Sequence, residues 1–318
     1  MGIETNRVAY ISPYSLAMVV RDSLVLEGST GLKWGVERRL EFIEFRLFWE
    51  GGVNRSDIIN MFDVSVPQAS KDLTLYQEHA PHNAIYDKSA KRYVASEKFA
   101  PRFLKPDPDS YLSRLRSVAE GLVDLSDSWI TQVPDTDIAL TPRRDIDPDV
   151  LRAVLSAVRD RKSVNVHYQS MSKERPDPAW RRITPHAFGY DGFRWHVRAY
   201  CHVTNRFKDF LLPRILGVGE MGDGGADPLD DVLWRERFGV EVGPHPDLTA
   251  SQKAVVAKDY SMEDGAAVLT VRYAMLFYVL KRLGLLGDAT QRPARSQHIV
   301  VINWDETDAA LRKAEYAA

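Results

Sequence analysis

The tightest constraint on the fold lies at Asp63-Val64-Ser65, three residues that separate two short helical patterns and leave room only for a sharp turn. Upstream, Ile58, Ile59, Met61 and Phe62 follow Asn54-Arg55-Ser56-Asp57, where Asn54 or Ser56 can cap a helix. Downstream, Val66-Pro67-Gln68 opens a helix that runs to about Glu78. Proline is harmless in that first turn because its missing N–H would have no intrahelical partner. A preceding helix over 36–49 is marked by Val36, Leu40, Ile43 and Leu47, which form one apolar stripe, and Gly51-Gly52 ends it. Three helices with a three-residue turn between the last two predict a helix-turn-helix. After Ala80-Pro81, the stretch from Asn83 to Val94 alternates apolar and polar residues on both sides of a polar turn, which predicts a β-hairpin, or wing.

The third helix carries Ser65, Gln68, Ser70, Lys71, Thr74 and Gln77 around an apolar face of Val66, Ala69, Leu73 and Leu75 or Tyr76. Glutamine suits adenine, lysine suits guanine or phosphate, and serine or threonine suits either, so this helix is the expected reader of a DNA major groove. Lys88, Lys91 and Arg92 at the hairpin are expected to contact phosphate or enter the minor groove, and Arg55 is a further expected DNA contact.

At 318 residues the chain exceeds what one core usually supports, so a multidomain α+β protein is expected. A proline-dotted linker with Pro101, Pro106 and Pro108 leads to amphipathic helices over 111–123 and 149–159, read as a helical linker and dimerisation region over 101–160. Strands are expected at Ser163–Gln169, Arg182–Gly189, Phe193–Cys201 and Arg206–Gly219, spaced as in a small barrel over 161–222 that ends in the turn Gly222-Asp223-Gly224-Gly225. Strand-like Ala267–Arg272 and His298–Trp304 flank helix-like Ala274–Leu283, which makes 229–318 a small α/β module. Residues 36–100 form the winged helix, and 1–35 are left as an N-terminal arm.

The net charge of −2 conceals segregation. From Arg161 to Arg214 there are eleven Lys or Arg against four Asp or Glu, and from His82 to Lys105 six against two. Two basic regions in a slightly acidic chain suggest two anion-facing surfaces. Cys201 is the one cysteine, so an intrachain disulfide is excluded and a cytoplasmic location is expected; the apolar stretch Tyr14–Val20 is too short to span a membrane. An enzyme is not expected. Cys201 and His202 are adjacent strand residues that face opposite sides, Pro81 interrupts His79-x-x-His82, and no phosphate-cradling glycine loop occurs, so neither catalytic residues, metal nor cofactor is assigned.

The run Phe62-Asp63-Val64-Ser65-Val66-Pro67-Gln68-Ala69-Ser70-Lys71-Asp72-Leu73, with Tyr76, Pro81, Tyr86-Asp87 and Lys91-Arg92-Tyr93, resembles the winged helix-turn-helix of WYL-domain regulators of the BrxR and CapW type. In the barrel, Arg182-Ile183-Thr184-Pro185-His186, Trp195-His196-Val197-Arg198-Ala199-Tyr200, Arg206-Phe207-Lys208-Asp209-Phe210 and Arg214-Ile215 follow the order of the WYL motifs, with Trp195-His196-Val197 in place of Trp-Tyr-Leu. The resemblance covers about 36–316. It implies a central Sm/SH3-like β-barrel, a C-terminal extension domain, and a homodimeric repressor of a phage-defence operon that grips an inverted-repeat operator in double-stranded DNA. It also implies a ligand pocket on one face of the barrel, and the residues present suit an anion: Tyr168, Ser170, Ser172, Arg182, His186, His196, Arg198, Arg206 and Arg214. A nucleotide or short nucleic acid is the expected effector. A second reading makes the barrel a single-stranded nucleic-acid-binding module that regulates a partner enzyme.

Overall fold

The computed structural model describes residues 31–139, 142, 144–173 and 175–317, with side chains through 314. Of the N-terminal arm, residues 1–30 lie outside the described residues. The described chain divides into two compact units, 31–139 and 142–317, so the segment 101–160 is shared between them.

The first unit is built on α1 (Trp34–Glu50), followed by α2 (Arg55–Phe62), α3 (Val66–His79), the hairpin β1 (Ala84–Asp87) and β2 (Arg92–Ala95), and α4 (Pro108–Ala119). Gly51 ends α1 with φ 72°, a left-handed conformation that glycine adopts without steric cost. Gly52 has a different reason: a Cβ there would sit 2.7 Å from the Tyr93 carbonyl. That close approach lets Val53 and Tyr93 exchange two 2.8 Å hydrogen bonds, which pins the end of α1 to the wing. Of the two possible caps of α2, Asn54 is the one used; its side chain accepts from the Asp57 N–H at 3.0 Å while Asp57 accepts from the Asn54 N–H at 2.7 Å. Asp63, at φ 49°, turns the chain, and Ser65 caps α3.

Leu40, Phe42, Ile43 and Leu47 of α1 pack against Ile58, Leu73 and Tyr76, and against Trp129 and Ile130 from beyond α4. Two buried carboxylates explain why the chain returns. Glu44 accepts the N–H groups of Arg102, Phe103 and Leu104, as well as Tyr76 Oη and Asn83 Nδ2. Glu50 accepts the N–H groups of Thr131 and Gln132 and pairs with Arg46. In each the carboxylate oxygens are filled by backbone donors, joined by a hydroxyl and an amide at Glu44 and by a guanidinium at Glu50, which offsets the lost hydration.

The second unit begins with α5 (Pro148–Asp160) and an antiparallel sheet of β3 (Ser163–Tyr168), β4 (Ala179–Tyr190), β5 (Trp195–Cys201), β6 (Arg206–Leu211) and β7 (Ile215–Gly222), in the order β6-β5-β4-β3-β7. The single strand expected over 206–219 is therefore two, broken by a 3-10 turn at Leu212–Arg214. That break decides the shape. In a flat sheet the edge strands β6 and β7 would lie roughly 19 Å apart at about 4.8 Å per strand. A 3-10 turn rising about 2 Å per residue bridges only about 8 Å. The sheet must curl until its edges meet, which is the barrel. Val150, Val154 and Ala157 of α5 join Val164, Val166, Ile183, Val197, Ala199, Phe210 and Ile215 in its core.

The remainder of this unit comprises α6 (Val232–Arg235), β8 (Arg237–Pro244), α7 (Ala250–Asp259), β9 (Ala267–Arg272), α8 (Tyr273–Arg282), β10 (Ile299–Val301) and α9 (Trp304–Ala317). Its antiparallel sheet runs β10-β8-β9, with Leu276, Leu280 and Leu285 fully buried beneath it. β9, α8 and β10 fall where the sequence places them. β8, α7 and α9 are additions that periodicity did not mark: β8 carries glycines at 239 and 243, while α7 and α9 are rich in alanine and charge, with few large apolar side chains.

Candidate nucleic-acid interface

In the first unit, the N-terminus of α2, the outer side of α3 and the wing enclose a cleft of about 510 Å³. Five expected contacts line it: Arg55, Ser70, Thr74, Lys91 and Arg92. Asn54, Ser56, Tyr86 and Tyr93 also line it and were not anticipated. For Tyr86 the only sequence signal was its place in the hairpin beside Asp87. Ser70 and Thr74 are one helical turn apart, so both hydroxyls face the same space; they donate to the carbonyls of Val66 and Ser70 at 2.9 and 3.1 Å and keep acceptor capacity. Lys71 is exposed on α3, and Lys88 and Lys91 are exposed at the wing turn. That turn is held by Asp87, whose side chain accepts from Ser89 and Ala90.

Other members of the expected set have local duties. Ser65 accepts from the Gln68 N–H as the cap of α3. Gln68 donates an amide proton to Asp72 at 2.9 Å, and Asp72 is clamped by Arg39 at 2.6 and 3.1 Å. Gln77 is half-buried on the last turn of α3, outside the cleft lining. Among the described residues, Arg55, Lys71, Lys88, Lys91 and Arg92 form no ion pair, and Arg92 Nε is buried without a hydrogen-bond partner. A cleft with cations at its edge and hydroxyls on its helical wall is equipped for a sugar-phosphate backbone and adjoining base edges.

In the barrel the expected ligand residues separate into two groups. His196 and Arg198 share one side of β5, as a two-residue period requires, while Val197, Ala199 and Cys201 face the core. The side they share is covered by the C-terminal module. The Tyr278 ring of α8 lies 4.5 Å from the His196 ring, and the Trp234 ring of α6 lies 6.1 Å from that of His186. Arg198, 2% exposed, donates to Asp231 at 2.7 and 3.0 Å and to Asp209 at 3.2 Å. His186 meets Asp231 at 3.0 Å, Tyr278 donates to Asp209 at 3.1 Å, and His196 meets Asp191 at 3.0 Å. Burial alone would raise the carboxyls of Asp231 and Asp191, but hydrogen bonds from His186 and Arg198 to the first, and from His196, Arg194 and backbone N–H groups to the second, outweigh it and hold both well below the ordinary value of 3.8. The side chains of His186, His196 and Arg198 are therefore buried, and their donors are consumed by carboxylates within the unit.

The second group is placed otherwise. Tyr168 closes the barrel interior, its hydroxyl accepting from the Leu211 N–H at 3.2 Å. Ser170 and Ser172 lie on the loop that follows, Arg214 is half-buried and Arg206 exposed. Arg182 donates to Ser163 Oγ at 3.3 Å. Its neighbour Arg181 was overlooked, although alternation along β4 puts it on the buried side with Ile183. Arg181 is 8% exposed, its guanidinium lies 5.7 Å from the Tyr168 ring, and among the described residues its Nη2 has no hydrogen-bond partner.

With these arrangements established, the chain can be set beside known proteins. Residues 35–117 match the BrxR transcriptional regulator winged helix-turn-helix domain, 149–219 the WYL domain, and 237–307 the BrxR transcriptional regulator C-terminal dimerization domain. A DNA-binding transcriptional repressor CapW of Stenotrophomonas maltophilia is 40% identical over 287 residues, covering 90% of this chain and 95% of that one. Proteins of the same name from Escherichia coli strain KTE188 and Pseudomonas aeruginosa are 36% and 38% identical, each over 90% of this chain and 95% of the relative. The chain belongs to the BrxR and CapW family. In family terms the cleft lies in the winged helix, Arg181, Tyr168 and Arg198 lie in the WYL barrel, and the Arg198 network reaches beyond it to Asp231 and to Tyr278 of the C-terminal domain. No described helix is long and apolar enough to cross a membrane.

Proposed function

We propose that the chain is a dimeric, sequence-specific DNA-binding repressor of a phage-defence operon in the cytoplasm, and that the cleft of the winged helix is its DNA-contacting surface. The observation that carries this is the cleft itself, lined by Arg55, Lys91 and Arg92, which among the described residues have no ion-pair partners, and by two hydroxyls on α3. The name shared by the family relatives supports the regulatory role. In this reading Ser70, Lys71 and Thr74 face base edges, Arg55, Lys88, Lys91 and Arg92 hold phosphates, and Ser65, Gln68 and Gln77 position α3. A two-fold pair of such helices needs half-sites about 34 Å apart, or a multiple of that. Sedimentation and operator titration test it: the expected result is a dimer at micromolar concentration that binds an inverted repeat as one unit. A monomer that binds single half-sites one to one ends the proposal.

The barrel receives an anionic effector, a nucleotide or short nucleic acid, through Tyr168, Ser170, Ser172, Arg214 and the added Arg181. Arg181 is buried and, among the described residues, its Nη2 has no hydrogen-bond partner, which is costly, and an anion would offset that cost. His186, His196 and Arg198 are assigned a different task, transmitting the bound state to the C-terminal module through Asp231 and Tyr278. An effector that loosens operator binding a hundredfold must favour the released state by about 2.7 kcal/mol. Arg181→Gln should abolish that response while operator affinity without effector stays at the wild-type value.

A further inference from the structure

Gln68, the third residue of α3, is held at both its main chain and its side chain. Its backbone N–H donates to Ser65 Oγ at 3.4 Å, and its Nε2 donates to Asp72 Oδ1 at 2.9 Å, one helical turn on. Asp72 is 1% exposed and has no freedom to turn, because Arg39 of α1 grips both of its oxygens. Arg39 Nε meets Oδ2 at 2.6 Å and Nη2 meets Oδ1 at 3.1 Å, a two-pronged fit that a guanidinium makes to a carboxylate. Arg39 is itself fixed by the Gly35 carbonyl, to which its Nη1 donates at 2.8 Å.

This relay decides which end of the Gln68 amide is which. A glutamine whose neighbours offer both donors and acceptors can be turned end for end. A carboxylate gripped by a guanidinium only accepts, so the nitrogen must face Asp72 and the oxygen is left over. Among the described residues Gln68 Oε1 has no hydrogen-bond partner. Gln68 is half-buried beside exposed Lys71, in the first turn of α3, the end that a recognition helix presents to base edges. In the major groove adenine and cytosine present an exocyclic amine, whereas guanine and thymine present a carbonyl oxygen. An untethered glutamine could serve either class by turning its amide. This one leads with an acceptor, and an acceptor set against a carbonyl oxygen is repelled.

We propose that the Arg39–Asp72 pair presets Gln68 to read amino-bearing bases, its Oε1 accepting from adenine N6 or cytosine N4 while its Nε2 stays on Asp72. This rests on the winged helix being the DNA-contacting surface, and it gives the free half of an amide that positions α3 a task of its own. Fluorescence anisotropy on the full chain tests it, with operator duplexes that carry each of the four bases in turn at every half-site position. At one position the wild type should hold adenine or cytosine about fivefold tighter than guanine or thymine. Gln68→Ala levels that position and leaves the preferences elsewhere. Asp72→Asn offers Gln68 a donor as well as an acceptor and so lets its amide turn; the guanine and thymine duplexes then gain on the other two. Mere loosening of α3 would weaken all four by one factor. Arg39→Lys keeps a cation on Asp72 and keeps the preference. One arm needs no variant and is immune to misfolding: the wild type should lose the same fivefold when the base is replaced by an analogue without its exocyclic amine. Full affinity for that analogue overturns the preset amide, as does a guanine or thymine preference at the position that Gln68→Ala levels, or Gln68→Ala levelling none. Equal weakening of all four duplexes by a folded Asp72→Asn overturns it too, and each of these results leaves DNA reading by the rest of α3 in place. A wild type that binds operator and scrambled duplex alike instead defeats the DNA-binding proposal, and the preset amide with it.

Discussion

The winged helix and the barrel are both basic in sequence, yet their cations meet opposite fates. In the first unit Lys71, Lys88 and Lys91 are exposed and Arg55 and Arg92 line an open cleft, and among the described residues none of the five forms an ion pair. In the second, Arg198, His186 and His196 are buried against Asp231, Asp209 and Asp191. A run of positive charge thus marks an anion surface only if no carboxylate from elsewhere in the chain is brought to it. Asp231 is 33 residues from Arg198 and 45 from His186, which puts it beyond any local charge count.

The largest expected effect separates the two kinds of cation. Arg198→Ala leaves Asp231 and Asp209 short of a partner in a buried site and should cost about 3–5 kcal/mol in urea unfolding. Lys71→Ala or Lys88→Ala, on exposed positions, should stay within about 0.5 kcal/mol. The double variant Arg198→Ala with Asp231→Ala should lose less than the two single losses combined, because each removes the other's orphan. A cost for Arg198→Ala below about 1 kcal/mol would break the comparison, since it would mean the network is exchanged freely for water.

Acid should act on the same network. Asp191 and Asp231 have pKa values in the folded chain below their ordinary 3.8, so their contribution is fully present above that value and is lost as pH falls through the lower, folded values. Stability of the unit 142–317 should therefore be level near neutral pH and fall below about pH 4. Asp191→Asn, which keeps the shape but removes the titrating group, should flatten part of that fall. A midpoint for Asp191→Asn that drops with acid as steeply as the wild type would remove His196 and Arg194 from the account.

Groove reading comes next in size. Thr74→Ala should lower discrimination between operator and scrambled duplex by about 1–3 kcal/mol. Gln68→Ala should lower it less, because that amide is engaged by Asp72 in the free protein. Equal losses from the two variants would show that Gln68 leaves Asp72 on binding DNA.

What was legible in the sequence follows the same physical line. The helix-turn-helix, wing and barrel strands could be read because apolar spacing and turn residues are local signals, and His196 and Arg198 were correctly placed on one side of β5 by period alone. Cover is not a local signal. Nothing near Arg198 announces that α6 and α8 will lie on it, just as nothing near Glu44 announces that the N–H groups of residues 102–104 will fill its oxygens. Arg181 shows the reverse: the Arg181-Arg182 pair looks like one cationic patch, but alternation sends one guanidinium into the barrel and the other onto its surface. The break between β6 and β7 was missed because Leu211-Leu212-Pro213 continues the apolar run, and only sheet closure requires the turn there.

The smallest effect is the sharpest test of the unpaired cations. Lys91 sits in the wing turn at φ 51°, exposed and, among the described residues, without an ion pair. Lys91→Gln keeps a side chain of similar length and the same backbone demand, so folding stability should hardly move and any change can be assigned to charge. If Lys91 neutralises one phosphate, the plot of log affinity against log salt should lose about 0.9 from its slope, with operator and scrambled duplex weakened alike. Arg198→Gln offers the contrasting outcome: a guanidinium consumed by Asp231 and Asp209 releases no counterion, so its loss should lower stability and leave the slope unchanged. If both variants shift the slope equally, the barrel's buried cations reach DNA after all, and the distinction between free and consumed charge is lost. If neither does, the wing turn makes no phosphate contact, and Arg55 and Arg92 are left as the cations of the cleft.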